Sequence, residues 1–303
     1  MKEITKILAC LDLTGMDNHL IRYAVFLSRA LKVDTLLFLH VIQEYDLEES
    51  EKVDLSEVEE KLERHIREEI QKNMSKESRD VPWSVLIKRE NKDASDVIIQ
   101  TIRRQEIDLT VLGKKAEEAR KERYSARAVA LGESDMILVP ANPPAEIKKV
   151  HVVMDFSNHS TKAFFLGAAI AGFTGSSLSC QYIYQESKGF FPAWPGVANK
   201  KLIARRARRK KKRFVNQYGH LYKDVDYYIN PAEYDLQPKK IIATADSIGA
   251  NLICIGARGA VAVPSTLLGL ITQKMRKAQT NTPVLIVKNK LEKNSFWNML
   301  LHG

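Results

Sequence analysis

The sequence is poor in cysteine and has no long apolar run. Its 303 residues include three cysteines, Cys10, Cys180 and Cys254, each inside a short apolar stretch. This placement predicts buried thiols of a reducing cytosol rather than disulfides or a metal site. No stretch of about 20 uncharged apolar residues occurs, so no transmembrane segment is expected. The N-terminus lacks the apolar core of a secretion signal, and we expect a cytoplasmic protein.

Patterns of catalysis and metal binding are also missing from the sequence. The seven histidines are scattered, and none pairs with a cysteine or a carboxylate at a metal-ligand spacing. No Ser-His-Asp set can be assembled from the chain order. The sequence therefore predicts no catalytic residue and no metal site, and it favours a binding or regulatory protein over an efficient enzyme.

Acidic residues are scarce in the second half of the chain. Residues 1–147 contain 23 basic and 29 acidic residues, a net charge of −6, whereas residues 148–303 contain 24 and 8, a net charge of +16. One interpretation is attraction between the halves, within one chain or across a homodimer. The other is that the two charged surfaces are simply solvated and independent.

The positive charge is concentrated in one segment. Residues 200–213 contain ten Lys or Arg in fourteen positions, with a thin apolar stripe at Ile203, Ala207 and Phe214. This spacing predicts a helix with a basic outer face. Such a face could be solvated, pair with the acidic helix expected over 44–74, or bind nucleic acid or an anionic membrane surface. A nucleotide-free adaptor acting through this segment is therefore an alternative function.

Two halves of the chain repeat one pattern of alternating apolar strands and amphipathic helices. Asp12 and Asp155 each end a first strand, and Gly113 and Gly256 each end a fourth strand. Both Asp-to-Gly separations are 101 residues, which indicates a tandem duplication. Alternating strands and helices predict an α/β fold, with a parallel sheet in each half and helices on both faces.

The proline-rich stretch at residues 140–144 is the best candidate for a linker between the halves. We place the first domain at 1–143 and the second at 144–290. Residues 291–303 form a tail whose segment 295–301 is largely apolar. We expect this tail to dock on the partner domain or on another subunit.

A glycine loop separates the last two strands of the second half. Gly256, Gly259 and Gly269 follow the spacing Gly-x2-Gly-x9-Gly between apolar runs at 252–255 and 284–287, with a helical pattern after the third glycine. Glycines let backbone N–H groups approach a phosphate, and a helix N-terminus adds partial positive charge. The spacing matches neither the Rossmann fingerprint nor the Walker loop.

This spacing resembles the nucleotide loop of ATP-binding universal stress proteins, in which a hydroxyl residue follows the third glycine. Leu270 stands at that hydroxyl position here, and Thr272 matches a second hydroxyl position. The segments 7–12 and 152–157 are similar to the family's first-strand motif, whose Asp contacts adenine. The resemblance covers nearly the whole chain and is to the tandem bacterial form. It implies two tandem open parallel five-stranded sheets of strand order 3-2-1-4-5.

The resemblance implies one adenine-nucleotide site, in the C-terminal domain, for ATP or alternatively AMP or ADP, with Mg²⁺ as a companion ion. Its residues would contact adenine (Asp155), line the ribose and loop wall (Gly256, Arg258), offer backbone N–H groups (Gly259, Gly269, Leu270, Ile271) and donate a hydroxyl (Thr272). Asp155, the glycines and Arg258 also have purely structural interpretations, as a turn carboxylate, turn glycines and a surface charge respectively. A slow ATP-hydrolysing or adenylate-using enzyme is a further alternative.

The first copy departs from this loop. Gly113 is followed by Lys-Lys-Ala-Glu-Glu, with no second or third glycine at the family spacing. From Gly113 to Val139 is 26 residues, whereas from Gly256 to Val287 is 31. We therefore expect no nucleotide in the N-terminal domain, which would be structural or regulatory.

Overall fold

The computed structural model describes residues 4–43, 55–74, 81–90, 93–114, 122–185, 200–220, 222, 224–232, 236–257 and 270–288. Contacts divide the chain into a first unit, residues 1–143 with 288–303, and a second unit, residues 144–287. The predicted tail at 291–303 lies outside the described residues.

The first unit is a five-stranded parallel sheet with strand order β3-β2-β1-β4-β5. Its elements are β1 (Lys6–Leu11), α1 (Asp17–Ala30), β2 (Thr35–Gln43), α2 (Leu55–Asn73), β3 (Trp83–Glu90), α3 (Ala94–Arg104), β4 (Leu109–Gly113), α4 (Glu122–Leu131) and β5 (Asp135–Val139). The acidic helix predicted over 44–74 is present from Leu55, and residues 44–54 lie outside the described part.

The second unit repeats this arrangement with strand order β8-β7-β6-β9-β10, again all parallel. Its elements are β6 (Lys149–Val153), α5 (Asn158–Thr174), β7 (Ser177–Gln185), α6 (Lys200–Tyr218), β8 (Val225–Ala232), α7 (Gln237–Ser247), β9 (Leu252–Gly256), α8 (Leu270–Lys277) and β10 (Val284–Val287). Numbered within its own unit, each sheet has the order 3-2-1-4-5. The predicted α/β fold class is confirmed. No helix within the described ranges has the length and apolar character needed to cross a bilayer.

The repeat extends to individual hydrogen bonds. At the start of the first sheet, Asp108 Oδ2 accepts the backbone N–H groups of Thr5 and Lys6 at 3.0 and 3.2 Å. In the second unit, Asn251 Oδ1 accepts the N–H groups of residues 148 and 149 at 2.9 and 3.1 Å. The paired positions are all 143 residues apart. The same side-chain clamp therefore fixes the first and fourth strands in both copies.

A polar network lies inside the second unit. His151 is fully buried, with Nδ1 2.9 Å from Ser179 Oγ and Nε2 3.0 Å from Gln181 Oε1. The Gln181 amide donates to Asn230 Oδ1 and Thr244 Oγ1 at 3.0 and 2.8 Å. Because Gln181 Oε1 can only accept, Nε2 of His151 carries the proton and Nδ1 accepts from Ser179. Burial lowers the pKa of His151, so the neutral ring belongs to the folded state.

Candidate functional site

The strand order of the second sheet reverses at its centre, between β6 and β9. β6 and β9 are parallel neighbours, with Val153 opposite Ile255, and the chain continues to β7 on one side and to β10 on the other. Parallel strands leave a crevice at their carboxyl ends at such a reversal, and ligands bind there. The fold therefore brings Asp155 and Gly256, which are 101 residues apart in sequence, to the same edge of the sheet.

Asp155 is built into the turn between β6 and α5. Its Oδ1 accepts the N–H of Ser157 at 2.9 Å and the Ser157 hydroxyl at 2.5 Å. Phe156, between them, has φ 61°, the left-handed region that is rare for a bulky residue. Ser157 is the N-cap of α5, and its side chain accepts from the N–H of Ser160. These contacts give Asp155 the turn role that the sequence left open, and its adenine contact stays a prediction.

The first copy has the equivalent turn. Leu13 has φ 60°, and the Thr14 hydroxyl donates to Asp12 Oδ1 at 2.6 Å. Asp17 accepts the N–H groups of Asp12 and Leu13 at 3.1 and 2.8 Å. Because both copies hold their Asp in a strained turn of this kind, the turn alone cannot explain a nucleotide site in one copy.

Gly256 lies against the first turn of α5. A Cβ atom placed there would lie 2.9 Å from the His159 carbonyl carbon and 3.0 Å from both the His159 oxygen and the Ser160 nitrogen. These are backbone atoms that cannot rotate away. Gly113, the equivalent residue, faces the flexible side chain of Met16, whose Cε would lie 3.0 Å from such a Cβ. Glycine at 256 therefore lets the end of β9 approach the N-terminus of a helix closely.

Thr272 joins the start of α8 to the end of β9. It lies in the first turn of α8 and is 2 % exposed, and its hydroxyl lies 3.1 Å from the Gly256 carbonyl oxygen and 3.4 Å from that of Ala257. A hydroxyl has one proton, so in this arrangement it is used on the backbone. Leu270 and Ile271 begin α8, where the backbone N–H groups have no partner within the helix. Arg258, Gly259 and Gly269 lie outside the described residues.

The two copies differ in length at one place. Lys114 N–H donates to the Val139 carbonyl at 2.7 Å, and Ala257 N–H donates to the Val287 carbonyl at 2.7 Å. Between that donor and the following helix lie seven residues in the first copy, 115–121, and twelve in the second, 258–269. In sequence, the five extra residues therefore fall between β9 and α8, after the strand end that borders the crevice.

Sequence reasoning did not place α6 at this edge. Lys210 Nζ donates to the Asp155 carbonyl oxygen at 3.3 Å and lies 5.8 Å from the ring centroid of Tyr182. Phe156 contacts Tyr182 and Phe214, with ring centroids 5.4 and 5.7 Å apart. Burial and then the Asp155 charge raise the pKa of Tyr182, so the phenol is neutral. An aromatic residue in the second strand, Tyr182 of β7, was the available signal, but its neighbours come from distant elements.

Comparison with known proteins identifies the fold and the family. The universal stress protein family model matches residues 3–132 and 146–288, whereas no curated protein matches. A universal stress protein from Archaeoglobus fulgidus is similar in structure, with a TM-score of 0.69, 18% identity and coverage of 96% of this chain and 98% of that chain. For a putative universal stress protein from Pseudomonas aeruginosa the values are 0.64, 15%, 94% and 93%. Two matched regions cover most of the sequence, and the chain therefore belongs to the universal stress protein family, with two such domains in tandem.

Proposed function

We propose that this protein binds an adenine nucleotide at the carboxyl edge of β6 and β9, in the second unit, and that the nucleotide biases its conformation or assembly. ATP is the proposed ligand, with AMP or ADP as alternatives and Mg²⁺ as a companion of ATP. The observation that carries the proposal is the five-residue extension of the β9–α8 loop in the copy that also has the glycines. The first unit has the same crevice and the shorter loop.

The surroundings of the crevice favour an anion. The loop leads into the N-terminus of α8, where the first N–H groups have no partner within the helix and the helix dipole attracts negative charge. Lys210 adds a positive charge beside Asp155. In the first copy, Glu117, Glu118 and Glu122 follow Gly113 and oppose a phosphate at the equivalent place, although the five Lys or Arg of residues 114–123 partly offset them. We therefore expect nucleotide in the second unit alone.

Roles can be proposed for the individual residues. Asp155 contacts the adenine, and Gly256 and Arg258 line the ribose and the loop wall. Gly259, Gly269, Leu270 and Ile271 offer backbone N–H groups to the phosphates. The hydroxyl of Thr272 donates to the Gly256 carbonyl and holds the start of α8 against β9. Its proposed role as a phosphate donor requires the side chain to rotate away from that carbonyl.

We expect binding without efficient turnover. Among the described residues at the crevice, Asp155 is the carboxylate at the strand ends, and its Oδ1 is bound to the turn. Hydrolysis would need a base or metal ligand positioned beside the phosphates. A ligand shifts a conformational equilibrium only by its differential affinity for the two states, so the nucleotide must bind one state more tightly.

Calorimetric titration with ATP and Mg²⁺ tests the proposal. We expect about one site per chain, loss of binding in Gly269→Glu, and weaker binding in Asp155→Asn. Asp12→Asn is the matched control, because Asp12 has the equivalent turn in the first copy, and it should bind like wild type. Absence of saturable binding by wild type, or an equal loss in Asp12→Asn, would contradict a site confined to the second unit.

A further inference from the structure

Helix α6 carries an unusual concentration of one charge. Its nineteen residues contain ten Lys or Arg and no acidic residue. Seven of these cations are exposed within 205–213, and we call six of them the basic face. They are Arg205, Arg206, Arg208, Arg209, Lys212 and Arg213. Lys210 and Lys211 are left out of this set, because they lie near the Asp155 carbonyl and over the Tyr227 ring respectively.

No carboxylate in the described part of the chain forms an ion pair with the basic face. The acidic helix α2 of a second molecule of this protein is a poor partner for it. That helix contains six acidic and four basic residues, and its Glu57, Glu63 and Glu69 are each paired at 2.6 Å with a cation of the same helix. A net charge of about −2 on α2 cannot neutralise six cations. The partner must carry a denser negative charge.

An anionic membrane is also a poor match. Helices that lie in a bilayer interface bury an apolar face among the lipids. The described part of the apolar face of α6 is already buried, since Ala207 and Phe214 are 1 % and 5 % exposed. Phe214 packs on Phe164 of α5, with ring centroids 4.9 Å apart. Because the described positions of α6 expose no apolar side chain, this part of the helix could adsorb to lipid headgroups through charge alone.

The dimensions of the basic face fit duplex DNA. From 205 to 213 the helix rises about 12 Å, and about 12 Å of B-DNA carries roughly seven phosphates. At 3.6 residues per turn the six cations cover an arc of about 160°. They therefore extend to both flanks of the exposed face of the helix. The major groove of B-DNA is about 12 Å wide and admits a helix, and cations on both flanks then face phosphates on both walls.

We propose that the basic face of α6 binds the phosphate backbone of duplex DNA without reading its sequence. The exposed described positions of α6 carry Lys, Arg, Asn and Gln. Single-stranded nucleic acids are held by aromatic stacking platforms, and these positions provide none. Duplex RNA is disfavoured because its major groove is too narrow for side chains to enter. This inference does not depend on nucleotide binding.

Two variants of the full-length protein isolate the basic face. The first replaces four of its cations, Arg205→Gln, Arg208→Gln, Arg209→Gln and Lys212→Gln. The control makes the same charge change at exposed helical positions elsewhere, Arg22→Gln, Arg64→Gln, Arg104→Gln and Lys239→Gln. Gln has nearly the helix propensity of Arg and Lys, and circular dichroism checks that both variants fold.

Fluorescence anisotropy measures binding to a labelled DNA duplex of arbitrary sequence and about two helical turns. The titrations use nucleotide-free buffer with NaCl between about 50 and 200 mM. Six phosphate contacts predict a slope of log K against log[salt] near −5 and a loss of about a thousandfold in affinity across this range. In the basic-face variant the slope should fall in magnitude by about 3.6, and the control variant should retain the wild-type slope.

Several results would overturn the proposal: a wild-type slope near zero, an equal loss in the control variant, or tighter binding of single-stranded DNA, duplex RNA or phosphatidylserine vesicles than of duplex DNA. Because the buffer contains no nucleotide, failure here leaves the ATP titration untouched. Success here says nothing about that site.

Discussion

Replacing Gly256 by alanine should weaken the second unit, and replacing Gly113 should have little effect. The two residues are equivalent in the repeat, and neither has a positive φ, so backbone strain does not enter the comparison. At 256 the new Cβ meets carbonyl carbon, oxygen and amide nitrogen of α5 at 2.9 to 3.0 Å. At 113 it meets the end of Met16, which can move to another rotamer.

The size of the effect follows from the cost of overpacking. A methyl group forced against fixed backbone costs about 1–3 kcal/mol, and we take about 2 kcal/mol for Gly256→Ala because α5 must shift by several tenths of an ångström. For a unit of this size, about 2 kcal/mol lowers Tm by roughly 4–8 °C. Gly113→Ala should change Tm by less than about 2 °C, since a flexible side chain accommodates the methyl group.

Scanning calorimetry of both full-length variants measures Tm, and hydrogen-exchange mass spectrometry identifies the unit that opens. We expect Gly256→Ala to lose protection in β9 and the first turn of α5. If both variants lowered Tm equally, or if Gly256→Ala were as stable as wild type, the close approach of β9 to α5 would not explain the glycine.

Three further predictions concern stability. Burial holds the pKa of His151 below its usual value of about 6.5. As pH falls through about 6.5, the unfolded chain therefore gains a proton that the folded chain does not, and stability is lost. His151→Gln should flatten the dependence of Tm on pH between about 7.5 and 5. Gly172 is exposed in α5, and a Cβ placed there would have nothing within 4 Å, whereas Gly175 caps that helix with φ 68°. Gly172→Ala should therefore raise the free energy of unfolding and Gly175→Ala should lower it, each by about 1 kcal/mol. Urea unfolding measures both changes. Asn251→Ala removes the acceptor of two N–H groups and should lower the free energy of unfolding by about 1–3 kcal/mol. Asn251→Asp should be tolerated, because Asp108 accepts the equivalent N–H groups in the first copy. Chemical unfolding of both variants measures the two changes.

Local patterns in the sequence predicted the α/β class and the repeat, whereas the strand order 3-2-1-4-5 was implied by the family resemblance. Short apolar runs such as 252–255 and 284–287 predict strands buried on both faces, and both are fully buried in the structure. The 101-residue separation from Asp to Gly predicted the duplication, and paired turns and clamps 143 residues apart bear it out in the structure. Residues at strand ends were also placed correctly at one edge, because all strands of a parallel sheet end there.

The sequence by itself therefore determined the α/β class, the tandem repeat and the copy with the longer loop, since strand and helix periods and loop lengths are properties of neighbouring residues. The tertiary structure alone decided which distant groups meet. It set the backbone of α5 against Gly256, the hydroxyl of Thr272 on a carbonyl of β9, and Lys210 beside Asp155. These contacts join residues 16 to 97 positions apart, and their geometry depends on how helices pack across a twisted sheet, which no local pattern encodes.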